Sequence, residues 1–248
     1  MHTVQRPLLW LPVTLGVVVA VSAAARLGAI SWLVGTTVAT GLVLLADRAF
    51  HGCPGRSFGP ADHVTMTRAS LACASAALVT DALLRPEGRG PSPFPAVVLL
   101  VALATTGLAL DWVDGRVARA TGTVTSLGAR FDMEVDAFLV LVLSLNATRT
   151  LGAWVLSIWL ARYALLAAER VLPFLRRPVP VRHWSKVVAA TQGVVLTVVA
   201  ADLLPPRAST VAVVLALGLL AESFAHQVRR LWRTRREVAL AVPSAEPA

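Results

Sequence analysis

The chain has 248 residues, of which 56% are hydrophobic and 15% are charged, and its formal net charge is +9. A soluble domain of this length would carry more charge and shorter apolar runs, so the composition excludes such a domain and predicts an integral membrane protein. The basic residues are not interleaved with aromatic residues, which argues against a nucleic-acid partner despite the positive charge.

Eight apolar stretches follow one another along the chain, separated by short polar connections. They comprise residues 8–25, 27–46, 64–84, 96–110, 137–147, 151–168, 187–204 and 210–220. A helix needs about 20 residues to cross a bilayer, and the shorter stretches are allowed polar ends and residues that face a cavity. The sequence therefore predicts an all-α, polytopic membrane protein with eight transmembrane helices.

The first apolar stretch also has features of a signal peptide, because Arg6 precedes it and three alanines, at 23–25, end it. The alternative is an ordinary first transmembrane helix. We favour the transmembrane helix, since the apolar run is long and a second one follows at once.

The connection at 47–62 is rich in glycine and proline and is typical of a linker. It separates two N-terminal helices from six later ones. We therefore predict three parts: residues 1–59 with two transmembrane helices and the linker, residues 60–236 as a six-helix catalytic domain, and residues 237–248 as a disordered tail.

Basic residues are concentrated on one side of this predicted topology. Clusters lie at 116–130, 176–186 and 229–236, and with eight spans all three face the same compartment. The positive-inside rule makes that compartment the cytoplasm. Of the 23 basic residues only Lys186 is a lysine, and this arginine bias is typical of a GC-rich bacterial genome.

Four aspartates lie close together in the sequence between the fourth and fifth apolar stretches: Asp111, Asp114, Asp132 and Asp136. Carboxylates at bilayer depth are costly and usually mark a functional site. Four neighbouring negative charges repel strongly unless divalent cations lie among them, and oxygen-only ligands favour Mg²⁺ or Mn²⁺ over zinc. Two such ions suit phosphoryl transfer. The pattern therefore predicts a metal site with phosphoryl-transfer chemistry.

The first pair of acids shares a helix face with small residues and a cation. At about 100° per residue, the segment 111–119 places both acids with Gly115, Ala118 and Arg119 within a sector of roughly 140°. Glycine and alanine lack bulk, so a ligand can approach the backbone there. Arg119 could hold a phosphate oxygen or neutralise an acid.

The second pair of acids lies on a comparable stripe. Gly128, Asp132 and Asp136 are spaced i, i+4 and i+8 and fall along one side of a helix. Arg130 and Glu134 fall on the opposite side, also four residues apart, and this spacing predicts a surface salt bridge between them.

These residues follow the pattern D-x2-D-G-x2-A-R-x8-G-x3-D-x3-D, which resembles the signature of the CDP-alcohol phosphatidyltransferase family. The positions that match are Asp111, Asp114, Gly115, Ala118, Arg119, Gly128, Asp132 and Asp136. The resemblance covers about residues 60–232 and leaves the first two helices outside. It implies a homodimeric six-helix core with a cavity open to the cytoplasm and to membrane lipid. It also implies transfer of a substituted phosphate from a CDP-linked lipid, usually CDP-diacylglycerol, to an alcohol, with release of CMP.

The resemblance also implies roles for individual residues. Asp111, Asp114 and Asp132 would be metal ligands, and Asp136 would complete a site for two divalent cations, Mg²⁺ or Mn²⁺, and act as general base on the acceptor hydroxyl. A second set would contact the CDP-lipid, including a threonine from a Thr-x-x-Arg element that resembles one common in the family. That set is Thr65, Asp111, Gly115, Ala118, Arg119 and Gly128.

Three basic residues are candidates for binding the acceptor: Arg68, Arg162 and Lys186. Arg162 lies inside an apolar stretch and needs an anionic partner, for which we favour an acceptor phosphate or carboxylate. Arg68 could instead extend to lipid headgroups, and Lys186 could anchor a helix start. These anion sites favour glycerol-3-phosphate or inositol phosphate as acceptor, while serine and another lipid stay open.

A rival interpretation is a non-enzymatic carrier or channel that conducts cations past its intramembrane acids. It predicts ion flux without CMP production and does not require the glycines of the pattern. A further alternative is a family member that binds CDP-lipid but lacks an acceptor site, and the presence of all four aspartates argues against it.

Overall fold

The computed structural model describes residues 7–51, 58–85, 93–121, 125–171 and 183–241. The regular structure in these ranges is entirely helical, with eight α-helices and short 3-10 helices at Pro7–Trp10 and Ala153–Leu156. The α-helices are α1 Leu11–Ala24, α2 Ala29–His51, α3 Pro60–Leu84, α4 Phe94–Thr121, α5 Ser126–Leu151, α6 Ser157–Val171, α7 His183–Ala200 and α8 Pro206–Ala241. The predicted all-α architecture, six helices preceded by two, is confirmed.

Several of the described segments can cross a membrane by length and composition. Five meet both requirements: Pro7–Ala24, Ala29–His51, Pro60–Leu84, Phe94–Val113 and Pro206–Arg230. Two shorter apolar segments, Ala153–Ala168 and Val187–Ala200, lie between them in the chain. These helices confirm a multi-pass membrane protein.

The helices that carry the acids are longer than their apolar stretches. α4 continues past residue 110 to Thr121, and α5 begins at Ser126, well before residue 137. The Thr125 hydroxyl accepts a hydrogen bond from the Gly128 N–H at 3.0 Å, which caps the first turn of α5. Hydropathy therefore marked only the apolar part of each helix, while capping fixed where α5 begins.

Helix α3 is the centre of the bundle, because α1, α2, α4 and α5 all pack against it. Fifteen of its 25 residues are buried. Its middle, residues 69–77, consists of alanine, serine and cysteine with a single leucine. Small side chains let helix backbones approach closely, which is how helices associate in lipid. At Gly35 of α2, an added Cβ would lie 2.8 Å from the Cβ of Ala77.

The helices α1 and α2 form an N-terminal hairpin, Leu11–His51, that is joined to α3 at both of its ends. At one end the Trp10 indole N–H donates to His63 Nδ1 at 3.0 Å. At the other end the Gly28 N–H donates to Asp81 Oδ1 at 2.9 Å. The hairpin is thus part of the bundle, although the domain boundaries at 59 and 236 stay predictions.

Helix α8 extends well beyond a single membrane crossing. Its 36 residues correspond to about 54 Å at 1.5 Å per residue, against a hydrocarbon core of about 30 Å. It continues to Ala241 and so enters the segment 237–248, for which we expected disorder. Residues 242–248 lie outside the described ranges.

Candidate functional site

Three of the four predicted metal ligands meet at one end of the bundle, here called the acidic end. Asp111 comes from the second half of α4, and Asp132 and Asp136 come from the first half of α5. One carboxylate oxygen of each lies within 4.8 Å of the others. Asp114 lies in α4, one turn after Asp111, but its side chain is outside the described part of the chain.

A buried arginine lies among these carboxylates. Arg68 of α3 is 3% exposed, and its Nη1 contacts Asp111 Oδ1 at 3.2 Å. Nη1 also donates to Asp132, and Nη2 donates to Asp136. Because a guanidinium stays charged even when buried, it neutralises one of the three carboxylates. These four side chains together keep an excess of negative charge.

The burial of Arg68 excludes one of the two interpretations of this residue. A side chain that extends to lipid headgroups would be exposed, so the headgroup alternative is wrong. The Thr-x-x-Arg spacing pointed to the residue, but only the packing of α3 against α4 and α5 shows which groups it contacts. Its predicted role in acceptor binding stays a prediction.

The donor set of the cluster fits a hard divalent cation. Asp111, Asp132 and Asp136 offer carboxylate oxygens that converge from two helices. Mg²⁺ and Mn²⁺ prefer such oxygen ligands, whereas zinc sites rely on histidine and cysteine. The excess negative charge around Arg68 further favours cation binding. The identity and number of the ions stay predictions.

Thr65 lies on α3 one turn before Arg68 and is 3% exposed. Its hydroxyl donates to the carbonyl oxygen of Ala61 at 3.3 Å. Residues three apart on a helix lie on the same side, so Thr65 is placed beside the acid cluster. Its contact with the nucleotide remains a prediction.

Gly128 lies where the first turns of α3 and α5 come together. A Cβ at Gly128 would lie 2.8 Å from Asp62 Oδ1 and 2.8 Å from Thr125 Oγ1. Asp62 is buried in the first turn of α3, and its Oδ2 accepts a hydrogen bond from the Gly59 N–H at 2.7 Å. The small size of Gly128 therefore serves helix packing as well as any ligand.

Asp62 is a buried acid beside Gly128 whose contact with α5 the sequence did not predict. The run Gly59-Pro60-Ala61-Asp62 has the acid at the third helical position, which is typical of a helix N-terminus. That local signal predicts a cap. It does not predict that the same carboxylate lies against α5, because this contact joins residues more than 60 positions apart.

Four predicted site residues can be placed only by their backbone. Gly115, Ala118 and Arg119 belong to the last turns of α4, which confirms that this segment is helical, and Lys186 belongs to the first turn of α7. Their side chains lie outside the described part of the chain. Their proposed contacts with nucleotide and acceptor stay predictions.

Arg162 has a protein carboxylate as its partner. Its Nη2 lies 3.1 Å from Glu134 Oε1, and the Tyr163 hydroxyl donates to Glu134 Oε2, also at 3.1 Å. Both carboxylate oxygens of Glu134 therefore contact α6. These contacts take the place of the predicted salt bridge between Glu134 and Arg130. The need of Arg162 for an anion could be read from the sequence. That Glu134 supplies it depends on how α6 packs on α5.

Glu134 and the acid cluster lie on different sides of α5. At 100° per residue, Glu134 is about 160° from Asp132 and from Asp136 around the helix. Arg162 follows Glu134 to that side. The structure therefore brings Arg68 into the acid cluster and does not bring Arg162 there.

Taken together, the fold and the site define a polytopic helical membrane protein with a cluster of three carboxylates around a buried arginine at one end of its bundle. The model of the CDP-alcohol phosphatidyltransferase family matches residues 58–222, and the chain belongs to this family. Comparisons with curated proteins and with solved structures found no match. The matched segment begins just before α3 and ends within α8, so the N-terminal hairpin lies outside it. Members of the family are phosphotransferases that pass a phosphatidyl group from a CDP-linked alcohol to a second alcohol.

Proposed function

We propose that the protein transfers the phosphatidyl group of CDP-diacylglycerol to a small alcohol acceptor, with release of CMP, in phospholipid synthesis. The observation that carries this proposal is the cluster of Asp111, Asp132 and Asp136 around Arg68, inside the segment that matches the family. A donor with two acyl chains stays in the bilayer while its diphosphate reaches the end of the helices. The acid cluster lies at such an end.

The predicted metal site would consist of Asp111, Asp114, Asp132 and Asp136. These carboxylates would hold two divalent cations, Mg²⁺ or Mn²⁺. When bound, the cations supply charge neutralisation for the diphosphate and for the leaving CMP.

Asp136 is proposed to be the general base. Its carboxylate takes the proton of the acceptor hydroxyl while the hydroxyl oxygen forms a bond to the β-phosphorus of the donor. The bond from that phosphorus to the bridging oxygen breaks, and CMP leaves with the electron pair. A general base must be held within hydrogen-bond reach of the proton it removes. The contact of Arg68 with Asp136 supports this role, since it fixes the carboxylate.

The nucleotide end of the donor is proposed to lie between the start of α3 and the facing turns of α4 and α5. Thr65 is buried one turn from Arg68, and Gly128 lies one turn before Asp132. Gly115 and Ala118 lie on the last turns of α4, where Arg119 would hold a phosphate oxygen. Their small size supports a close approach of the ligand to the backbone.

The acceptor is proposed to be glycerol-3-phosphate or inositol phosphate, with Arg68, Arg162 and Lys186 as candidate anion-binding residues. Of these, Arg68 lies beside Asp136, whereas Arg162 lies on the other side of α5 and belongs to a separate position. The contact of Arg162 with Glu134 sets a condition on this proposal. An anionic acceptor reaches Arg162 only by exchanging places with Glu134. Serine is the acceptor to compare, because it carries no phosphate group.

The acidic end is proposed to face the cytoplasm of a bacterial cell. Arg229 and Arg230 close the apolar segment of α8 and are exposed, and alternation of the proposed spans would place the end of α8 on the same side as the end of α4. The positive-inside rule supports this orientation. A homodimer is proposed from the family resemblance alone.

The test is CMP release by the purified protein in lipid nanodiscs that contain CDP-diacylglycerol. Mg²⁺ or Mn²⁺ is added with glycerol-3-phosphate, inositol phosphate, serine or no acceptor. We expect CMP only when both a metal ion and one acceptor are present. Cation flux through proteoliposomes without CMP release from any acceptor would instead establish a carrier or channel.

A further inference from the structure

We infer that the N-terminal hairpin holds the metal-ligating helix α5 in position through an aromatic cluster at the acidic end, with Phe50 as the positioning residue. The hairpin lies outside the segment that matches the family, so the family assigns it no role. The catalytic part of this inference rests on the proposed function. The structural part concerns the cation site itself and can be tested without turnover.

The aromatic cluster runs from ring to ring between the hairpin and the core. Its members are Trp10, Phe50, Phe58, His63 and Phe131. Phe58 meets His63 with ring centroids 4.7 Å apart and meets Phe50 at 5.3 Å. Phe50 then meets Phe131 edge-on at 6.3 Å and 87°. These separations and angles are those at which aromatic pairs attract each other.

Phe50 belongs to a continuous apolar face of α2. Val43, Ala46 and Phe50 are spaced at i, i+3 and i+7 and are all buried. This face packs with Met66 of α3, which is fully buried, and with Leu127 and Phe131 of α5. One face of the hairpin therefore touches α5, which carries two of the acids, and α3, which carries Arg68.

The contacts on α3 and α5 lie next to the functional side chains. Phe131 directly precedes Asp132, and Met66 lies two residues before Arg68. Because a helix backbone is rigid over one turn, a shift at Phe131 moves Asp132 with it. Phe50 therefore fixes the distance between a metal ligand and the guanidinium that contacts it.

The acidic end needs such a contact for a physical reason. Asp111, Asp132 and Asp136 repel one another, and one arginine offsets only part of that repulsion. The first turns of α5 also precede its apolar stretch, so lipid alone does not hold them. An apolar contact from the hairpin opposes the separation that the charges favour.

The experiment compares two truncations in the same hairpin. Phe50→Ala removes the ring that meets Phe131. Val18→Ala is the matched control, because Val18 is fully buried in the core cluster that excludes Phe50 and Phe131. For each full-length variant, Mn²⁺ affinity is measured by electron paramagnetic resonance, stability by thermal unfolding, and turnover by CMP release.

We expect Phe50→Ala to weaken Mn²⁺ binding roughly tenfold, the loss typical when a group that supports metal ligands is removed. Val18→Ala should lower the unfolding temperature but change Mn²⁺ affinity less than about twofold. Equal Mn²⁺ affinities in the wild type and Phe50→Ala would overturn the inference. If Phe50→Ala does not fold, Phe50→Leu, which keeps apolar contact but not the ring edge, is compared in its place.

Hydrogen exchange separates this inference from the proposed function. Peptides that cover residues 127–133 should exchange faster in Phe50→Ala than in Val18→Ala, whether or not the protein releases CMP. Equal exchange would show that the hairpin does not hold α5. A wild-type protein that binds Mn²⁺ but releases no CMP would contradict the proposed function only.

Discussion

The acidic end and the opposite end of the bundle both contain charged side chains, but the charges are satisfied differently. At the opposite end, Asp81 accepts hydrogen bonds from the Gly28 N–H at 2.9 Å and from Arg85 at 3.0 Å, and the Ser31 hydroxyl approaches it at 3.4 Å. At the acidic end, three carboxylates share the guanidinium of Arg68. The first arrangement joins helices, whereas the second keeps negative charge available for a cation.

The surroundings of the two ends differ in the same way. A cavity of about 210 Å³ at the opposite end is lined by apolar residues together with Asn146, Arg149, Thr150 and Asp202. At the acidic end the carboxylates instead contact Arg68 of α3, and the N-terminal hairpin makes apolar contacts with the neighbouring residues of α5. Buried charges are costly unless they are paired. The excess of negative charge at the acidic end therefore indicates a functional site, whereas the paired charges at the opposite end indicate a structural role.

Among changes at the two ends, replacement of the proposed base should have the largest effect on activity. Asp136→Asn removes the group that accepts the proton, so we expect CMP release to fall at least about a hundredfold. The matched control at the opposite end is Asp202→Asn, since asparagine tolerates the positive φ of 55° found there. Turnover by the control should match the wild type. Retained turnover in Asp136→Asn would remove Asp136 as the base.

Removal of metal should be as damaging to CMP release as the loss of the proposed base. We expect EDTA to abolish CMP release and added Mg²⁺ or Mn²⁺ to restore it, because the carboxylates at the acidic end would otherwise repel the donor diphosphate. Asp132→Asn should weaken Mn²⁺ binding roughly tenfold or more, as measured by electron paramagnetic resonance. Asp202→Asn should bind Mn²⁺ like the wild type, and a loss of binding in that variant would contradict a site at the acidic end.

Replacement of Arg68, which lies between the acids, should make the unfolding free energy depend more strongly on bound metal. Arg68→Met leaves three carboxylates facing one another without a counter-charge, so we expect a loss of unfolding free energy on the order of 3 kcal/mol without metal. Bound Mn²⁺ stabilises only the folded state and should restore part of that loss. Thermal unfolding with and without Mn²⁺ measures both effects. An equal response to Mn²⁺ in the variant and the wild type would show that Arg68 does not balance the cluster.

The contact between α3 and α5 should be sensitive to a single methyl group. Gly128→Ala places a Cβ 2.8 Å from Asp62 Oδ1 and from Thr125 Oγ1, so we expect destabilisation of about 1–3 kcal/mol. Gly41→Ala is the matched control, because no atom lies within 4 Å of the added Cβ. The control should be neutral or stabilising by up to about 1 kcal/mol, since alanine favours helix. Both are read from thermal unfolding, and equal effects would rule out the close contact.

The smallest effect is expected at the opposite end. Asp81→Asn keeps the shape of the side chain but removes the charge that pairs with Arg85. We expect a loss of about 1 kcal/mol in unfolding free energy and no change in turnover or in Mn²⁺ affinity. A change in Mn²⁺ affinity would show that the two ends are coupled, which the comparison above does not predict.

The sequence alone determined the class of the protein and singled out three acids that the structure brings together. Apolar stretches report which segments lie in lipid, because hydropathy is a property of the local composition. The spacing of the aspartates within each helix predicts which side of that helix they occupy, since the helical period is fixed by the backbone. Both predictions needed only neighbouring residues, and the structure brings these three acids together.

The tertiary structure decided which distant groups meet. Arg68 contacts Asp132 across 64 positions of sequence, and Arg162 selects Glu134 across 28. Neither pairing follows from a local pattern, because each depends on how closely and at what rotation two helices pack. The small residues of α3 allow that close packing. This packing of α3 explains why Arg68 lies within the acid cluster. Arg162 belongs to α6 and contacts Glu134 on the other side of α5.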